Sequence, residues 1–302
     1  MQSVTRVGIV GLGLIGGSLG MALRKETLPA NGGELRSWHV MGHDLAPEVE
    51  QRALALGAID EIYTTLAGLA ARADILVVAV PTSQVAPVLL AASRHIAPQS
   101  VVTDCGSVKQ PIFRALASGL RKDVEFIGGH PMAGGERQGI EAASPSLFVG
   151  ARWALAQVPG RLASPTARRQ VEDLVRAAGA VPVYVEASQH DRAVAFCSHM
   201  PYILSVALAL TCRTESERTP ALDVLAARSF RDMTRIARAE PGSPLDYCML
   251  NRAYLLEALD CLVDSLAAAR VALGEEREGG ILTMASTARD FLARMDDRIQ
   301  AR

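Results

Sequence analysis

The sequence predicts an α/β amino-terminal part built on a doubly wound sheet, followed by an all-α carboxy-terminal part. Three observations lead there. Short β-branched runs alternate with helical stretches over residues 1–187. Several of these runs are continuously apolar, as expected of parallel strands covered on both faces. From about Ser188 strand signals stop, and Ala-, Leu- and Arg-rich helical periodicity takes over.

Taken in order, the strands are expected at 4–10, 38–43, 75–79, 100–103, 125–128, 152–157 and 181–184. Helices are expected between them at 15–25, 47–56, 66–72 and 166–178. Such alternation implies a doubly wound sheet. Residues 28–37 read as an inserted loop, and 80–83 as a loop at a strand's carboxyl end. In the helical part the candidates are 189–211, 221–239, 245–273 and 278–298, with a polar loop at 213–220. Pro241, Gly242 and Pro244 punctuate one break, and Gly274, Gly279 and Gly280 another. Leu255, Leu259, Leu262, Leu266 and Ala269 form an apolar stripe that serves either the domain's own core or a subunit interface.

Composition narrows the function classes. The chain has 302 residues, 49% hydrophobic and 21% charged, which is globular usage. A net charge of −1 offers no basic excess for a phosphate backbone, so no nucleic-acid partner is expected. The longest apolar run, near 203–210, is short for a bilayer, and no signal-peptide pattern precedes the first strand, so no membrane partner is expected. The five cysteines lack CxxC spacing and read as reduced thiols of a cytoplasmic protein, with no metal site.

Gly11-Leu-Gly13-Leu14-Ile15-Gly16-Gly-Ser18 follows the first strand and opens a helix. In that context GxGxxG is the fingerprint of a Rossmann-type dinucleotide site. Gly11 permits the turn, Gly13 lets the backbone approach a pyrophosphate, and Gly16 lets helix pack on strand. The helix start offers unpaired N–H groups and a favourable dipole to the anion. Asp44 ends the second strand, where a carboxylate accepts the ribose hydroxyls of NAD and repels the 2′-phosphate of NADP; its alternative is a cap for the next helix. Pro81, Ser83 and Gly106 lie at strand carboxyl ends, where cofactors bind in such sheets. Residues 1–187 are thus expected to be the dinucleotide-binding domain, and 188–302 a separate helical domain.

Three segments carry candidate chemistry. Ser107, in Asp104-Cys-Gly-Ser107-Val-Lys109, reads on spacing alone as a helix N-cap before it reads as catalytic. His130 and Glu136 are the reactive side chains of a glycine-rich stretch expected to let a ligand approach closely. An imidazole titrates near neutrality and suits a general base, although a backbone-bonded structural histidine gives the same pattern. In the helical part stand His190, then Ser198, His199 and Tyr202; the last two share a face if the helix survives Pro201. Arg228, Arg231, Arg235 and Arg238 make a basic stripe, either solvated or paired with the carboxylates of an acidic substrate.

Together these pieces resemble the prephenate/arogenate dehydrogenase family. The matching segments are 11–18, 104–109, 129–139, 190–191, 198–201 and 230–237, in family order. The resemblance implies NAD-dependent oxidative decarboxylation of a cyclohexadienyl dicarboxylate: prephenate, or alternatively arogenate or an aminated prephenate analogue. It assigns His130 to the ring hydroxyl, with Ser107 beside it, and Arg235 to a substrate carboxylate. Ser198 and His199 fall in the substrate-side motif, and His190 matches a further histidine near the pocket. Tyr202 replaces a second histidine found in many relatives, and a tryptophan common after Arg235 is missing. Glu136 attracts the amino group of arogenate, gates the pocket or binds a loop. The resemblance implies that 188–302 is the substrate-side and dimerisation domain. A homodimer through the helical domain is implied, and the length predicts a monofunctional enzyme in which any tyrosine inhibition acts at the active site. Lysine-dependent two-domain reductases fit poorly, since no lysine follows Lys122.

Overall fold

The computed structural model describes residues 3–25, 28–29, 35–117, 119–135 and 137–300. It forms two compact units, Met1–Arg252 and Ala253–Arg302. The first begins with β1 (Ser3–Val10), α1 (Leu14–Lys25), β2 (Leu28–Pro29), β3 (Leu35–His43), α2 (Pro47–Ala55), β4 (Glu61–Ile62) and α3 (Leu66–Arg72). There follow β5 (Ile75–Val78), α4 (Thr82–Ser93), β6 (Val101–Asp104), α5 (Gln110–Leu116), β7 (Glu125–Pro131), β8 (Arg152–Gln157), α6 (Pro165–Ala177) and β9 (Val181–Tyr184). The sheet order is β2-β3-β1-β5-β6-β7-β8-β9, with β4 beside β3. From β3 to β7 the path is parallel; β8 runs antiparallel to β7, and β9 parallel to β8.

Register positions the site. Val10 pairs with both His43 and Val78, and Val78 pairs with Asp104. The carboxyl ends of four strands are therefore level, and Gly11, Asp44, Ala79 and Cys105 leave the sheet along one edge. After β1 the chain moves outward to β3 and returns on the other side as β5. That reversal opens the crevice in which such sheets bind ligands. Two apolar cores flank the sheet, one including Ile9, Leu19, Val40 and Trp153, the other Leu76, Val85, Phe113 and Phe126.

Several expected boundaries move, for physical reasons. β7 continues past 128 to Pro131, because antiparallel β8 extends the ladder and pairs His130 with Ala154. His130 thus stands on a strand. Gly129 serves packing here: a Cβ would fall 2.4 Å from the backbone oxygen of Asp104. The expected loop 80–83 is shorter, since α4 starts at Thr82. Within the expected inserted loop, Leu28–Pro29 pairs with β3, while 30–34 lies outside the described residues.

The remaining helices of the first unit are α7 (Ala187–Val194), a π turn (Ala195–His199), α8 (Met200–Ser216), α9 (Ala221–Leu225), α10 (Arg228–Thr234), a 3-10 turn (Arg235–Arg238) and α11 (Gly242–Leu250). The helix does survive Pro201. Proline has no N–H to donate, and the wider π turn just before it accommodates the break in the α pattern. The continuous run Ala187–Ser216 has the length and composition of a membrane span, unlike the shorter apolar run at 203–210. Its His190, Asp191 and His199 are nevertheless buried in hydrogen-bonded contacts of this unit.

The loop expected at 213–220 is helical as far as Ser216, with Thr211 and Thr214 hydroxyls bonding back to carbonyls of the preceding turn. The expected helix 221–239 is three pieces. Arg228 and Arg231 lie on α10, whereas Arg235 and Arg238 lie on a 3-10 turn, so the four do not form one α-helical stripe. Ser205 helps stabilise this arrangement by accepting Ala237 N–H at 3.1 Å. The helix expected at 245–273 breaks at Asn251.

The second unit holds α12 (Arg252–Gly274) from Ala253 onward and α13 (Glu278–Gln300). Along the predicted leucine stripe Leu255 is buried, whereas Leu266 is 55% exposed. Ala272, Leu273, Ile281, Leu282 and Ala285 line an apolar groove between the two helices.

Candidate active site

The glycine turn has the form a pyrophosphate requires. Gly11 takes φ +88°, and a Cβ there would meet Ala79 O at 2.5 Å. A Cβ on Gly16 would fall 1.9 Å from Gly11 O, so helix and turn pack together only without side chains. At Gly13 an added Cβ would meet nothing within 4 Å, which leaves backbone approach open at the start of α1, where Leu14 and Ile15 form the first turn. Asp44 is not the cap of α2, whose N-cap position is Ala46. Its carboxylate accepts Leu12 N–H at 2.8 Å and Ala46 N–H at 3.1 Å, tying the glycine turn to the end of β3. Each oxygen retains a lone pair for a ribose hydroxyl. These residues fit a dinucleotide such as NAD.

Beyond the turn, β6 and β7 carry the reactive groups. Ser107 is not the N-cap of α5 either. It precedes the helix by three positions and donates its N–H to Thr82 Oγ1 at 3.0 Å. The capping group is Asp191 of α7, whose two oxygens accept Lys109 N–H at 2.7 Å and Gln110 N–H at 2.8 Å. Asp191 Oδ1 also lies 2.8 Å from His190 Nδ1, and His190 Nε2 lies 2.9 Å from His130 Nδ1. The two imidazoles meet edge to face.

With both imidazoles neutral, this chain allows one arrangement of protons. The Asp191 carboxylate accepts, so His190 Nδ1 donates. Neutral His190 then offers a lone pair at Nε2, so His130 Nδ1 donates to it. His130 is left with a lone pair on Nε2, the form required of a general base. Burial first, then the nearby His190, Lys109 and His199, holds His130 well below the usual imidazole range. We expect kcat/KM to be flat near neutrality, with this group's acid limb below pH ~6.5, the unperturbed imidazole value. Stability follows the same sign. The unfolded chain binds a proton near pH ~6.5 that native His130 refuses, so His130's contribution is complete above that pH and falls as pH drops through the native value. A pH–rate profile beside a pH series of urea midpoints checks both.

A buried ion pair supports this array. Lys109 and Asp104 are fully buried and in contact, and Lys109 Nζ also donates to Gly129 O. Asp104 accepts Gly106 N–H at 2.8 Å and Gly129 N–H at 3.1 Å. The pair thus clamps the residue before Ser107 to the residue before His130. The sequence pattern gives Lys109 no duty; its burial is the missing signal. Cys105 in the same loop has its thiol pushed up by burial and by Asp104, so it is no nucleophile.

His199 is buried and lies flat on Tyr247, ring centroids 4.4 Å apart, while Tyr202 meets Tyr247 edge-on at 6.4 Å. Burial pushes His199 down to about 4 against the opposing pull of Asp191. Ser198 sits half-buried in the π turn beside it. Ser83 gives its N–H to Asp246 of α11 at 2.9 Å, and Pro81 is the exposed residue before α4. Arg235 is exposed on its 3-10 turn. Glu136 lies outside the described residues. The structure therefore joins His130, His190 and His199 through Asp191 and its neighbours, and Arg235 enters none of these bonds.

A parallel sheet with a glycine turn at its switch point and a neutral histidine on the same edge defines a nicotinamide-dependent dehydrogenase. Two family models match the chain: "Prephenate dehydrogenase, nucleotide-binding domain" over residues 31–184, and "Prephenate dehydrogenase, dimerization domain" over 186–285. The chain belongs to the prephenate dehydrogenase family. It is 30% identical to prephenate dehydrogenase of Bacillus subtilis, covering 94% of this chain and 74% of that protein. Among solved structures it resembles prephenate dehydrogenase from Aquifex aeolicus in complex with hydroxyphenyl propionate and NAD+, with a TM-score of 0.81 and 27% identity, over 97% of this chain and 98% of that one. It also resembles Synechocystis arogenate dehydrogenase, with a TM-score of 0.77 and 27% identity, over 95% and 100% of the two chains.

Proposed function

We propose that this chain catalyses the NAD-dependent oxidative decarboxylation of prephenate to 4-hydroxyphenylpyruvate in tyrosine biosynthesis. The observation that carries the reading is His130, buried and neutral beside the dinucleotide edge, with its tautomer set by His190 and Asp191. Bound NAD supplies the acceptor for the hydride. His130 Nε2 takes the ring-hydroxyl proton as the ring carbon is oxidised. The ring carboxylate then leaves as CO2, its bonding electrons aromatise the ring, and His130 returns the proton to the phenolate oxygen. The base thus ends in the state in which it began. Ser107 hydrogen-bonds near the ring hydroxyl.

Gly11, Gly13, Leu14, Ile15, Gly16, Asp44, Pro81, Ser83 and Gly106 form the cofactor side. His190, Ser198, His199, Tyr202, Glu136 and Arg235 form the substrate side. Residues 1–187 bind the dinucleotide, and 188–302 supply the substrate-side residues other than Glu136 and the subunit contact of a cytoplasmic homodimer. The matched dimerization domain and the exposed Leu266 support that contact.

Arg235 pairs with a substrate carboxylate. We expect Arg235→Gln to raise KM about ten- to hundredfold with a smaller change in kcat, as loss of a charge-assisted bond predicts. Steady-state kinetics checks this. The likeness to an arogenate dehydrogenase, together with Tyr202 in place of a histidine, favours arogenate as the second substrate to test. Assays with each substrate and with NAD or NADP decide. We expect NADH formation with prephenate, and folded protein that turns over neither substrate would refute the reading.

A further inference from the structure

Asn251 lies outside the glycine turn, yet it touches both Asp191 and His199. It lies at the break between α11 and α12, 4% exposed, with φ −106° and ψ 18°. Its Nδ2 donates to the backbone oxygen of Asp191 at 2.7 Å and lies 3.2 Å from His199 Nδ1. A backbone carbonyl only accepts, so the amide atom facing it must be nitrogen, and the orientation of the amide follows. The second amide hydrogen then faces His199 Nδ1, and that ring nitrogen must accept. A neutral imidazole has one N–H, which in His199 therefore stands on Nε2. Asp191, held through its carbonyl by the same amide, caps α5 and orients His190 through its carboxylate.

We infer that Asn251 is a positioning residue. It fixes His199 as an Nε2–H donor for an acceptor oxygen of the substrate and holds it in register with the Asp191–His190–His130 chain. The substrate clause rests on the function proposed above; the tautomer does not. A charged His199 would set Nδ1–H against the amide N–H, an unpaired donor in a buried place. The ionisable groups facing His199 are Asp191 and His190 from α7, His130 from β7 and Tyr247 from α11, with Tyr202 of α8 against Tyr247. Only Asp191 favours the cation.

The test is nitrogen-15 NMR of the full chain labelled at histidine, with His199→Gln assigning one of the six ring signals. At pH 7 we expect His199 as the Nε2–H tautomer. Asn251→Asp presents a carboxylate to Nδ1 and should draw the proton there. Asn251→Ala should leave a mixture, and KM for prephenate should rise about tenfold with kcat changed less. An Nδ1–H or cationic His199 in the wild-type chain overturns the inference even if both Asn251 variants fail to fold. So does Asn251→Ala with unchanged tautomer and KM. An Nε2–H signal that Asn251→Asp shifts, in a chain inactive on prephenate and arogenate, upholds the positioning role and refutes only the proposed function.

Discussion

Replacing His130 with asparagine should lower kcat by roughly 10²–10⁴, the usual contribution of a general base. Asparagine is the informative substitute because its amide N–H can still donate to His190 Nε2, preserving the chain to Asp191 while removing the lone pair that takes the proton. NAD affinity, which we propose rests on the turn at Gly11–Gly16, should be unchanged. The His130 acid limb of the pH–rate profile should also disappear. Steady-state kinetics with calorimetric NAD titration checks all three. A variant retaining full kcat would remove His130 from the proton transfer.

The second large effect concerns stability. Lys109→Met should cost about 3–5 kcal/mol, because it leaves the Asp104 charge in a place without solvent. The urea midpoint should fall with little change in slope. The double variant Lys109→Met with Asp104→Asn should recover part of the loss, since no uncompensated charge remains. Both should lose activity, because Gly129 O then lacks its donor and Gly129 precedes His130 on β7. A single variant as stable as the wild type would mean that Asp104 is neutral or reached by water.

The parts legible in the sequence were those written in local patterns. Apolar runs located the main strands, and the glycine turn stands between β1 and α1 as its strand–helix setting suggested. What was hidden depends on contacts between distant residues. His130 meets His190 across 60 positions and Asn251 meets His199 across 52, so no local spacing reports either bond. Gly128 and Gly129 looked like the end of a strand because glycine weakens strands in isolation, whereas here β8 and the crowding at Asp104 require it. Lys109 carried no assigned role in the sequence, and only the closeness of Asp104 allows it inside. Arg235 belonged to an apparent α-helical stripe that the 3-10 turn dissolves.

The most direct measurement is the yield from one incubation of the wild-type chain with prephenate and NAD, counting NADH and CO2 together. The mechanism couples hydride loss to aromatisation through one ring, so NADH and CO2 should appear in equal amounts, with 4-hydroxyphenylpyruvate as the product. NADH without CO2, CO2 without NADH, or neither from folded enzyme would contradict it.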